Sequence, residues 1–234
     1  MFIPLKDENP TYRFPFITIF FIALNIIIFF YQVLSPQGLQ YFVYKMGAIP
    51  YEITHLKPVT FVLYETRESL FRLSPPLTLI TSMFLHGSLF HLFGNMLFLW
   101  IFGNNIEDFL GPFRFILFYL LSGLGASLTH IIFNPNSQVP MIGASGAIAG
   151  VLGAYLILYP GARILTLVFL FFFIRILPIP AAFFLLVWFL AQVLNVGIGG
   201  GVAWFAHIGG FLIGIALIGA YSRRKRKKRC LHSF

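Results

Sequence analysis

Residues 14–34 read FPFITIFFIALNIIIFFYQVL, with no Asp, Glu, Lys or Arg among them. About 20 apolar residues wound as a helix cross a bilayer's hydrocarbon core, so this stretch predicts a membrane span. The bulk composition agrees. The 234-residue chain is 59% hydrophobic and 10% charged, with a mean hydropathy of +0.87, whereas soluble domains carry about a quarter charged residues. No single core could hide that much apolar surface, which excludes an ordinary water-soluble fold.

Further apolar stretches follow at 88–102, 113–133, 143–159, 181–196 and 202–221. Gly111-Pro112 opens the third span. Pro140 and Pro160-Gly161 bound the fourth. Residues 164–177 are apolar but interrupted by Arg175 and closed by Pro178 and Pro180. They are too short to span and are expected at the interface; a seventh span is the alternative if they cross. The expected fold class is therefore all-α, a polytopic membrane protein with a six-transmembrane-helix bundle. Residues 1–13 form an N-terminal segment, 14–221 the membrane domain with an outer loop at 35–76, and 222–234 a basic tail. No cleavable signal peptide is expected, since the polar first thirteen residues lead into a stretch long enough to span.

The net charge of +9 does not point to nucleic acid, because seven of the sixteen basic residues form one run, Arg223 to Arg229, directly after the last apolar stretch. No folded nucleic-acid module accompanies that run. A juxtamembrane cluster of this kind reads as a topology signal and a contact for anionic lipid. It puts the C-terminus in the cytoplasm, and six spans put the N-terminus there too. Lys6, Arg13, Arg114, Arg163, Arg175 and the run then face inward, against Lys45, Lys57, Arg67 and Arg72 outside. A prokaryotic cell membrane is the expected location. The single cysteine, Cys230, lies in the tail and offers neither a disulfide framework nor a thiol metal site.

Polar residues inside a membrane are costly and tend to mark function. In the six-span arrangement the second, fourth and sixth helices all run inward. They carry His86, His91 and Asn95, then Gly143-Ala144-Ser145-Gly146, then His207, all in the outer half of the bilayer. A lone membrane serine is more often structural than catalytic. Here Gly143 and Gly146 flank Ser145, leaving room for a substrate backbone. The proline-containing loop before it predicts a helix N-terminus, whose free N–H groups favour an oxyanion. Serine needs a base, and His207 is the natural choice. The pairs Gly146/Gly150 and Gly210/Gly214 permit close helix packing.

Glu107 and Asp108 fall at the opposite end of the second helix, so a Ser-His dyad is expected, with helix packing alone orienting the imidazole. His91 and Asn95, four residues apart, share one helical face. They read as oxyanion donors; a metal site that adds His86 and His207 is the alternative. His55 and His130 read as structural. Gly199-Gly200-Gly201 reads as a turn or as a cover over the site.

Gly143-Ala144-Ser145-Gly146, His91-x-x-x-Asn95 and Ala206-His207-x-Gly209-Gly210 together resemble the rhomboid intramembrane proteases. The stretch from Gly103 to Gly111 also resembles that family's turn between its second and third helices. The resemblance implies a six-helix serine endopeptidase without metal or cofactor, whose substrates are transmembrane helices cut near their outer ends. It implies Ser145 as nucleophile, His207 as base, and the Ser145 backbone N–H, His91 and Asn95 as the oxyanion hole, with Gly143, Gly146, His86 and Gly210 in support. Two departures stand out: Ala149 replaces an aromatic that packs on the imidazole in some members, and Phe71-Arg72 stands where some have Trp-Arg. A rhomboid-like pseudoprotease or membrane scaffold is the runner-up. A transporter is the third class, but it would spread polar groups along the full membrane depth.

Overall fold

The computed structural model describes residues 2–57, 59, 72–170, 173–198 and 201–231. Arg67, Phe71, Gly199 and Gly200, and the side chains of the basic run beyond Arg224, lie outside the described residues. The elements are β1 (Phe2–Asp7), α1 (Phe16–Leu34), α2 (Gly38–Met46), α3 (Pro50–His55), α4 (Pro75–Thr81) and a 3-10 turn at Ser82–Phe84. After these come α5 (Leu89–Leu110), α6 (Pro112–Phe133), α7 (Ser145–Leu158), β2 (Arg163–Leu170), β3 (Phe173–Pro180), α8 (Ala181–Leu194) and α9 (Trp204–Leu231).

Among the described residues, four helices are long and apolar enough to cross a membrane: α1, α5, α6 and residues Trp204–Arg224 of α9. The six-span expectation is met only in part, because α7 and α8 have 14 residues each. At 1.5 Å per residue that is about 21 Å, short of the roughly 30 Å hydrocarbon core. For α7 the reason lies in its surroundings. Every residue from Gly146 to Tyr155 is buried, so this helix is solvated by protein and need not match lipid thickness.

The all-α expectation is corrected. In the stretch expected at the interface, β2 and β3 pair antiparallel, and β1 adds to them in the order β1-β2-β3. In β2, Ile164, Thr166 and Val168 are buried, the period-2 pattern of a strand. Because the intervening positions are also mostly apolar, the sequence conceals that period. Pro178 and Pro180 fall in β3, an edge strand, where a missing N–H is tolerated. A second correction concerns residues 103–110, which are the last turns of α5. Only Gly111, at φ +79°, makes the turn into α6.

The two ends of the bundle are held differently. At one end, Glu107 accepts from the N–H groups of Ile17 and Thr18 and from Thr18 Oγ1, at 2.7–2.9 Å. A carboxylate from α5 thereby caps the first turn of α1. Beside it, Tyr155 Oη and Asn105 Nδ2 donate to Asp7 Oδ2 at 2.8 and 2.7 Å, tying β1 to α5 and α7. At the other end, Ala48 and Met141 exchange backbone hydrogen bonds of 3.1 and 2.7 Å, and Tyr51 N–H donates to Ser137 O at 2.9 Å. Arg72, whose side chain is largely covered, pairs with Glu52 at 3.0 Å and donates to Gly47 O at 2.9 Å. Residues 48 and 51 thus brace the loop that leads into Ser145.

Candidate active site

Ser145 is the first residue of α7. Ile148 N–H donates to Ala144 O at 3.0 Å, so the three preceding N–H groups have no intrahelical partner. The chain arrives through Gly143, whose N–H donates to Ser82 O at 2.8 Å and whose φ is +121°, a conformation that a residue with a Cβ rarely adopts.

His207 lies in the first turn of α9, and its Nε2 is 2.8 Å from Ser145 Oγ. What permits this approach is backbone contact between α7 and α9. A Cβ on Gly210 would overlap Gly146 O, and one on Gly214 would overlap Gly150 O. The paired glycines therefore act as their spacing predicts.

The flanking glycines do not act as expected. A Cβ at Gly143 would meet the His91 ring at 2.8 Å, and one at Gly146 would meet Ala126 Cβ at 2.7 Å. The space beside both is already filled by protein. Open space at the site lies instead in a cavity of about 750 Å³ that reaches Ser145 and His207 and is lined also by His91, Asn95, Gly94 and Trp188.

Ser88 Oγ accepts from His91 N–H at 3.1 Å and so caps α5, fixing His91 in its first turn. Asn95 follows one turn later. Its Nδ2 is buried without a hydrogen-bond partner, a donor in want of an acceptor. His86 lies behind the site, fully buried, with its ring 5.0 Å from that of His91 in an edge-on arrangement. Among the described residues, no three His, Cys, Asp or Glu side chains converge as a metal-binding set.

Four residues set aside or overlooked in the sequence belong here. His130 lines the same cavity. Gln192 of α8 places Oε1 2.8 Å from His207 Nδ1, so helix packing is not the only thing that holds the imidazole. Trp188 and Trp204 bring their rings to 6.1 and 6.2 Å from it, where Ala149 offers none. A glutamine in an apolar helix four residues after a tryptophan was the available signal. His55, by contrast, stacks on Tyr51 at 4.2 Å, away from the site.

Residues 74–224, more than half of the chain, match the Rhomboid domain. The chain belongs to the rhomboid family. Among similar proteins, the yeast "Rhomboid protein 1, mitochondrial" (Saccharomyces cerevisiae) is 34% identical over 162 residues, 65% of this chain and 44% of the relative. "RHOMBOID-like protein 6, mitochondrial" of Arabidopsis thaliana is 38% identical over 146 residues, 59% and 41% of the two chains. "Rhomboid protease GluP" of Bacillus subtilis is 44% identical over 78 residues, 33% and 15%. The chain spans less than half the length of these rhomboid relatives. Two of them are mitochondrial by name, so the expected prokaryotic cell membrane gains no support. What holds more broadly is that this rhomboid chain, with its long apolar helices, is an integral membrane protein.

Proposed function

We propose that this chain is an intramembrane serine endopeptidase that cleaves transmembrane segments of other membrane proteins near their outer ends. The observation that carries the reading is the 2.8 Å contact between Ser145 Oγ and His207 Nε2 at a cavity among membrane-spanning helices. Family membership supports it, since rhomboid proteins are generally intramembrane serine proteases.

In this reading Ser145 Oγ attacks the scissile carbonyl carbon while His207 Nε2 takes the hydroxyl proton. The carbonyl oxygen becomes an oxyanion facing the Ser145 N–H, the Asn95 amide and the His91 ring, donors already in place before charge develops. Collapse breaks the C–N bond, and His207 returns its proton to the leaving amine. Water, activated by the same imidazole, then hydrolyses the acyl-enzyme and regenerates Ser145. The cavity provides the water that an apolar bundle otherwise excludes. In this reading both termini lie on the cytoplasmic side, supported by the excess of Lys and Arg assigned there, and the basic run meets anionic headgroups.

The test is cleavage of a fluorogenic transmembrane substrate by the protein reconstituted in liposomes. Turnover is expected in the natural chain and absent in Ser145→Ala and in His207→Ala. Cleavage that persists in Ser145→Ala contradicts the assignment.

A further inference from the structure

The His207 imidazole is held at both nitrogens, and the second contact involves a residue that a two-residue mechanism does not use. Nε2 faces Ser145 Oγ and Nδ1 faces Gln192 Oε1, each at 2.8 Å. Gln192 sits in the last turn of α8 and is only 7% exposed. We propose that Gln192 is a positioning residue that fixes the His207 tautomer, keeping the proton on Nδ1 and the lone pair on Nε2. The proposal rests on reading Ser145 and His207 as the catalytic pair.

The directions of the hydrogen bonds carry the argument. A glutamine amide has one end that only donates and one that only accepts. Gln192 Nε2 lies 3.0 Å from the backbone oxygen of Trp188. A carbonyl oxygen can only accept, so this end of the amide must be the NH₂ group. The end that faces His207 is then the oxygen, which also only accepts. The proton between Gln192 and His207 must therefore sit on Nδ1.

A neutral imidazole has one N–H, so Nε2 is left bare towards Ser145. The proton chain runs one way, from Ser145 Oγ–H to His207, from His207 to Gln192, and from Gln192 to Trp188 O. Reversing any link sets lone pair against lone pair or hydrogen against hydrogen at about 3 Å. With the other tautomer Ser145 would still find a hydrogen bond, but as acceptor, and nothing would take its proton.

A neutral amide does this without placing a carboxylate in an apolar bundle, where desolvation would oppose it. The arrangement also offsets Ala149, which is fully buried and presents no ring to the imidazole.

The test compares Gln192→Met with Gln192→Glu in the full chain reconstituted in liposomes. Met has a similar volume and no strong acceptor, whereas Glu keeps an acceptor in either protonation state. The ¹⁵N spectrum of histidine-labelled protein, with His207 assigned by its loss in His207→Ala, is expected to show a protonated Nδ1 in the natural chain and in Gln192→Glu. In Gln192→Met, Nε2–H should appear and kcat/KM should fall about 10-fold, the scale of one net hydrogen bond. Gln192→Glu should stay within about threefold of the natural chain.

A bare Nδ1 in the natural chain overturns the proposal, whatever the variants do. So does the reverse ranking, with Met unimpaired and Glu impaired, which marks a packing role. Because the spectrum needs no turnover, protonated Nδ1 in a chain that cleaves nothing defeats the protease reading and leaves the tautomer assignment standing.

Discussion

Gly210 of α9 and Gly146 of α7 meet backbone to backbone, so closely that a Cβ on Gly210 would overlap Gly146 O. Gly214 stands in the same relation to Gly150. Ser145 and His207 each lie within one turn of the first contact, which therefore sets their separation. Gly210→Val must push α9 outward, at a stability cost of about 1–3 kcal/mol. A displacement of about 1 Å at the reacting groups costs on the order of 10²-fold in rate. Gly219 has open space beside it, so Gly219→Val should leave cleavage unchanged in the same assay. Equal activity in both variants contradicts this account.

Gly143 is constrained twice, by φ +121° and by the His91 ring 2.8 Å from where a Cβ would sit. Gly143→Ala should destabilise the protein by about 1–3 kcal/mol, read from thermal unfolding in detergent. Adding His91→Ala removes the overlap but not the backbone strain, so the double variant should recover only part of the loss. Full recovery would assign the whole effect to sterics.

The unpartnered Asn95 Nδ2 predicts a kinetic effect without a folding effect. Removing one oxyanion donor costs ~10²–10³ in kcat at most. Asn95→Ala should therefore lose kcat while KM and unfolding temperature hold. A loss expressed in KM would place Asn95 in substrate binding instead.

How far the sequence could be read depended on what each residue had to do. Span positions for α1, α5, α6 and α9 were legible because lipid demands long apolar runs. Ser145, His207, His91 and Asn95 stood out because polar groups are rare in such runs. The β2–β3 hairpin stayed hidden because residues 163–180 are apolar on both sides of each strand, which erases the contrast that reveals a period of two. Gln192 escaped notice because a single glutamine near a helix end is ordinary; its role appears only when α8 brings it against α9. Gly143 and Gly146 stand out in the sequence, but the space they leave is filled by His91 and Ala126. Which neighbour fills a glycine's vacancy is a tertiary fact.

Asp7 gives a pH dependence at the other end of the bundle. Its burial in β1 raises the carboxyl above the ordinary aspartate range, and the hydrogen bonds from Tyr155 and Asn105 only partly offset this. The folded state therefore binds this proton more tightly than the unfolded state does. Stability attributable to Asp7 grows as pH falls through the folded-state pKa and levels off below the ordinary aspartate value; it is lost as pH rises. Asp7→Asn keeps an acceptor for both donors and should flatten that part of the profile of unfolding temperature against pH. An unchanged slope in the variant would show that another group sets it.

The central claim is that His207 makes Ser145 a nucleophile, and covalent labelling reads this without any need for the right substrate. After reaction with a fluorophosphonate, peptide mass spectrometry should place the adduct on Ser145. Labelling should disappear in Ser145→Ala and be strongly slowed in His207→Ala. An adduct on another residue, or labelling of Ser145 at the same rate without His207, would contradict the account.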